Sequence, residues 1–183
     1  MNISDKTFSK SPKISFFNLQ TDSFKYEIFL KKFNDEKQNV TFRSLQFLQW
    51  RYLDIPNRKY HLLKLEANNE IEAIAVFRAK YIYGIRCGIL IDLITLENLG
   101  DVKTLLNTIC EIAFNNKLDL IFTTVPSHSF EFSILKKSRF YSIPQFFLPQ
   151  KLAFIVKRHL PSCPDAVTNF RKWFLTFGDY DIF

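Results

Sequence analysis

Ile89 to Phe114 reads ILIDLITLENLGDVKTLLNTICEIAF. Its opening ILIDLITL is a β-rich apolar run and Glu97 to Gly100 has turn composition. From Asp101 onward, apolar residues fall at 102, 105, 106, 109, 110 and 113. That i, i+3, i+4, i+7 spacing predicts a helix with one buried face, with Asp101 as its N-cap or first-turn acid. A buried strand that feeds a helix N-terminus is a geometry able to hold an anion, because unpaired N–H groups and the positive end of the helix dipole converge there. Glycine at such a turn lets the backbone approach closely. Asp92 stands alone among apolar neighbours in the strand, so it either bonds a nearby backbone N–H or Arg86, or acts as a base.

Working toward the N-terminus, Tyr60 to Leu96 contains three β-rich runs separated by the turn signals Asn68-Asn69 and Gly84, which predicts an antiparallel meander. Before it, KISFFNLQ (13–20) has strand composition. Thr21 or Asp22 offers a cap for a helix over FKYEIFLKKF (24–33), NDEKQNVTFR (34–43) is a polar connector, and Ser44 caps a second helix stopped by Pro56. Toward the C-terminus, LDLIFTTVP (118–126) reads as a strand buried on both faces. SHSFEFSILKKSRF (127–140) reads as a short helix, KLAFIVKRH (151–159) as a strand, and WFLTFGDYDIF (173–183) as a final strand with an aromatic tail. The order is β-α-α-β-β-β-α-β-α-β-β. No repeat or Pro/Gly-rich linker divides it, so residues 1–12 are read as a polar leader and 13–183 as one domain.

The chain has 183 residues, enough for one core without disulfides or metal. Its 47% hydrophobic content excludes a disordered chain. Cys87, Cys110 and Cys163 are odd in number, widely spaced and without C-x-x-C, which points to neither a disulfide framework nor a zinc site. Two of them are expected in the core, as are Trp50 and Trp173. No apolar run has signal-peptide length or approaches the ~20 residues that span a bilayer, so the expected location is the cytoplasm. Net charge is +7, with clusters at Lys31-Lys32, Lys136-Lys137-Arg139, Lys157-Arg158 and Arg171-Lys172. That balance favours an acidic partner, whether a nucleotide cofactor, a nucleic acid or an anionic polymer. No nucleic-acid motif accompanies the charge, so nucleic acid is not the expected partner.

A meander followed by a helix and a parallel crossover resembles the GNAT N-acetyltransferase superfamily over nearly the whole chain. FLQWRYLDIPNRKYHLL and WFLTFGDYDIF are similar to segments of a bacterial GNAT-like branch associated with polysaccharide biosynthesis. The resemblance implies an α+β (α/β) fold with a mixed, mostly antiparallel central sheet and helices on both faces. It also implies acyl-coenzyme A between the strands containing GILIDLITL and LDLIFTTV. The family's Q/R-x-x-G-x-G/A loop falls on Glu97, Gly100 and Val102, so Gly100 alone matches. By the same resemblance Leu93, Leu99, Gly100, Asp101, Val102, Lys103 and Thr104 become the candidate cofactor-binding residues. In the following helix the family's N-x-x-A-x-x-L-Y-E-K-x-G-F puts His128 at Asn, Leu135 at the proton-donating Tyr, Arg139 at Gly and Phe140 at Phe.

Transfer to an amine needs a base near the attacking nitrogen. Asp92, Glu97 and His128 are the candidates, set against the plainer readings of a bonded core acid and a helix-start histidine. The expected co-substrate is acetyl-CoA or another acyl-CoA, the partner a small amine-bearing acceptor, and the assembly a monomer or homodimer, without metal. Asp179 and Asp181 form a D-x-D pair, more in keeping with a solvated or hydrogen-bonded chain end than with a metal site. The alternative is a GNAT-like domain that has lost catalysis and serves as a binding or partner module.

Overall fold

The structure is a computed structural model, and it describes residues 12–97, 101–144, 146 and 155–180. A five-stranded sheet runs in the order β1-β3-β4-β5-β6, from β1 (Lys13–Phe16), β3 (His61–Ala67), β4 (Glu70–Ile82), β5 (Ile85–Thr95) and β6 (Leu120–Phe122). All its pairings are antiparallel except β5 with β6. The two meander turns fall where the sequence placed them. Asn68 and Asn69, then Tyr83 and Gly84, all take positive φ, the conformation that two-residue hairpin turns require.

Helices cover both faces. On one side lies α1 (Leu19–Glu36), burying Tyr26, Phe29, Leu30 and Phe33, and on the other α3 (Val102–Asn115), burying Val102, Leu105, Leu106, Ile109 and Ala113. Each set repeats every three or four residues, so one stripe of each helix meets the sheet. α4 (Phe130–Lys137) joins α3, while the short α2 (Leu45–Leu48) continues as a π-helical turn over Gln49–Leu53 on the α1 side.

Several expectations need correction. The α1 cap is Asn18, whose side chain accepts from the Gln20 N–H, and Asp22 is buried inside the helix, where Lys64 donates to it at 2.6 Å. Burial works against the Asp22 carboxylate, but the Lys64 and Asn18 hydrogen bonds outweigh it and hold its pKa below the ordinary value. The polar connector carries a short strand, β2 (Asn39–Val40), paired parallel to β7 (Trp173–Phe174). The C-terminal segment is a strand only at those two residues and then a 3₁₀ turn, Phe177–Asp179. β6 leaves Leu120 exposed and its other two residues only half-buried, so it is not a strand buried on both faces; among the described residues it pairs with β5 alone. Trp50 is 65% exposed, because the π turn directs Tyr52 inward instead. Among the cysteines only Cys87 is buried. The strand expected over 151–159 begins outside the described residues, and 155–159 are not in a strand.

Candidate active site

β5 bulges next to its centre. Val76 pairs with Asp92 and Phe77 with Leu90, leaving Ile91 as the extra residue. A bulge of this kind re-aims the side chains that follow it, and Asp92 turns toward the α1 face. There it is fully buried and saturated: Arg43 donates from Nε at 3.3 Å and from Nη2 at 3.1 Å, Tyr52 donates its hydroxyl, and so does Thr176. Arg43 also donates to Asp179 Oδ2 at 2.8 Å and lies over the Phe174 ring. Burial pushes the guanidinium pKa down, but Asp92 and Asp179 together raise it above its ordinary value. Burial, then Asp92, raises that of Tyr52. Gly178 closes the cluster: a Cβ there would meet the Asp92 carboxylate and lie 2.6 Å from Tyr52 Oη.

Thus WRYLDIP and WFLTFGDYD meet around Asp92, with Tyr52 from one and Thr176, Gly178 and Asp179 from the other. The partner of Asp92 is Arg43, from the polar connector, whereas Arg86 pairs with Asp119. Sequence reasoning missed Arg43, which sits in no periodic pattern. The available signal was Asp92 itself, since an acid in an apolar strand requires a cation somewhere in the chain.

Along its other edge β5 forks from β6. Pairing runs from Cys87↔Leu120 to Ile89↔Phe122 and stops, with Thr123 Oγ1 donating to the Leu90 carbonyl at the point of divergence. Beyond Ile89, β5 is paired only with β4 among the described residues. The side chain of Leu93 is core, so only its backbone belongs to the fork, and Val102 is core as well. Asp101 occupies the N-cap of α3 but its side chain makes no cap hydrogen bond, leaving the first-turn N–H groups unclaimed by it. Lys103 and Thr104 are exposed on that first turn. Leu99 and Gly100 lie outside the described residues. A backbone edge that opens into a fork, with a helix start beyond it, fits the acyl-CoA arm and its pyrophosphate.

Glu97 and His128 come together in a cleft of about 160 Å³ at the open end of the fork. Its walls are the end of α1 (Glu36, Lys37), the start of α4 (Ser129 to Glu131) and the segment Arg171–Phe174. Lys37 donates to Glu97 at 2.9 Å and to Glu131 at 3.5 Å, and the Glu97 N–H donates to Glu36. Glu131 is fully buried; Oε1 accepts from Thr95 at 3.1 Å, while Oε2 has no partner among the described residues. His128 is exposed and rests edge-on against Phe170. The cleft therefore gathers two of the three candidate bases and leaves Asp92 elsewhere. Glu131 escaped the sequence reading because an acid two residues after a Ser cap looks like ordinary first-turn helix chemistry.

The α4 landmark is kept in shape. Ser129 caps the helix, and Arg139, at the family's Gly position, takes φ +66 just past the end, as a C′ glycine would. Leu135, at the Tyr position, is core, and Tyr141 is exposed. Asp179 belongs to the buried cluster, and Asp181 lies outside the described residues.

No family model and no curated protein matches the chain. Solved structures do. A ribosomal-protein-alanine N-acetyltransferase from Brucella melitensis biovar Abortus 2308 superposes with TM-score 0.56 at 12% identity, covering 81% of this chain and 100% of its own. An aminoglycoside acetyltransferase from an uncultured soil metagenomic sample, in complex with sisomicin, gives 0.57 at 14% identity over 81% of this chain and 97% of its own. Aminoglycoside N-acetyltransferase AAC(6')-Iy, in complex with CoA, gives 0.56 at 13% identity over 84% and 99%. The fold is that of GNAT-type acetyltransferases. Among the described residues, no helix is long and apolar enough to cross a membrane.

Proposed function

We propose that this chain is an N-acyltransferase that moves an acetyl or other acyl group from acyl-CoA to an amine of a sugar or small metabolite in the bacterial cytoplasm. The observation that carries the reading is the fork: β5 loses β6 after Ile89, and α3 starts a few residues beyond the end of β5. Acyl-CoA supplies the activated thioester. The β5 edge beyond Ile89 holds and orients the donor through backbone groups, and the first-turn N–H groups of α3, with Lys103, meet its anionic end. Glu97 or His128, in the cleft at the fork, takes the proton released by the amine. Asp92, with every oxygen occupied, keeps the bulge in position. The resemblance of WRYLDIP and WFLTFGDYD to a polysaccharide-associated branch supports a sugar amine.

A binding or partner module is the second reading, favoured by the buried Leu135 in place of a proton donor. Thermal unfolding with acetyl-CoA, desulfo-CoA or ATP separates the two. At ~100 times its dissociation constant a ligand adds about 2.7 kcal/mol of stability, and the CoA species are expected to act where ATP does not. Absence of a shift with any acyl-CoA at millimolar concentration removes the transferase reading.

A further inference from the structure

We infer that the cleft at the end of the fork selects a bipolar acceptor, an amine that also carries a phosphate or carboxylate. The inference rests on the acyltransferase reading for its purpose, but on the cleft alone for its chemistry. Glu36, Glu97 and Glu131 supply three carboxylates from α1, the turn after β5 and α4, and Lys37 offsets one of them. Glu131 is fully buried, and among the described residues its Oε2 has no hydrogen-bond partner. A buried carboxylate oxygen left unpaired is costly, and a charged hydrogen-bond donor removes that cost. The protein already shows which donor suits the wall, since the Lys37 ammonium bridges Glu97 and Glu131. A ligand ammonium beside Glu131 repeats that chemistry.

The cations of the cleft come from a different segment. Arg171 and Lys172, just before β7, are exposed, and their side chains make no hydrogen bond or ion pair among the described residues. Arginine in particular matches phosphate and carboxylate geometry. Two carboxylates beyond the one offset by Lys37 and two unpaired cations thus line one small cleft. An amino sugar without an anionic group satisfies only the first set, and a polyamine is repelled by the second. A ligand carrying both charges satisfies both.

The test is calorimetric titration of the full chain, without acyl-CoA, using glucosamine 6-phosphate, γ-aminobutyrate, glucosamine, spermidine and glucose 6-phosphate. The phosphate- or carboxylate-bearing amine is expected to bind at least about tenfold more tightly than glucosamine or spermidine, the effect of one good ion pair; the tighter of the two identifies the anion. Arg171→Ala with Lys172→Ala should abolish that preference. Glu131→Gln should weaken the amines together and leave glucose 6-phosphate unchanged. Should Glu131→Gln not fold, the surface pair alone decides. Equal binding of glucosamine and the bipolar amines, or no amine binding, overturns the inference. An acetyl-CoA shift without amine preference overturns this inference alone, whereas amine preference without an acetyl-CoA shift overturns the transferase reading and leaves the cleft.

Discussion

Asp92 and Glu131 are both carboxylates with no exposed surface; Asp92 lies within β5, and Glu131 accepts from Thr95 at the end of the same strand. Around Asp92 every oxygen is taken: Arg43 reaches both, and the hydroxyls of Tyr52 and Thr176 complete the set. Around Glu131 one oxygen is shared by Thr95 and Lys37 and the other has nothing. Burial alone therefore does not separate a structural acid from one available to a ligand. The number of protein donors that meet it does. The first cluster joins the connector, the π turn, β5 and the C-terminal turn into one unit, and the second lines the cleft between the end of α1, the start of α4 and Arg171–Phe174.

The largest expected effect tests the closed cluster. Arg43→Ala leaves Asp92 and Asp179 buried beside each other without their cation, and breaking such a pair from one side costs about 3–5 kcal/mol. Urea unfolding should read that loss directly, and a change below 1 kcal/mol would mean the cluster does not hold the C-terminal turn. Next comes Gly178→Ala, whose new methyl would crowd Asp92 and Tyr52. Overpacking of this kind costs about 1–3 kcal/mol, measurable as a shift in the urea midpoint. The smallest effect is expected at Glu131→Gln, which keeps an oxygen for Thr95 and removes the charge that lacks a full set of donors. Its unfolding free energy should change by about 1 kcal/mol or less. If it falls as far as Arg43→Ala, the contrast between the two acids is wrong.

Much of the fold was legible because it is written in local periodicity. The stripes of α3, the Asn68-Asn69 and Gly84 turns and the Ser44 cap all read correctly from spacing and turn chemistry. The errors have a common cause. Trp50 was assigned to the core by hydrophobicity, yet a π turn adds a residue to the helical period and Tyr52 takes the inward place. The strand at Leu120 looked doubly buried because an apolar run does not reveal how much of it the neighbouring elements will cover. Arg43 stayed hidden because its partners lie 49 and 136 residues away.

The sequence by itself determined the meander, the helix stripe that follows it in Ile89–Phe114 and the placing of titratable side chains at Asp92, Glu97 and His128. These depend on interactions among residues a few positions apart, which spacing records. Only the tertiary structure decided that Asp92 is locked by Arg43, that Glu97 and His128 share a cleft, and that Glu131 stands there with an unpaired oxygen. Those outcomes turn on which distant donor reaches which buried carboxylate, and that is fixed by how the strands fork and the helices dock, not by any local pattern.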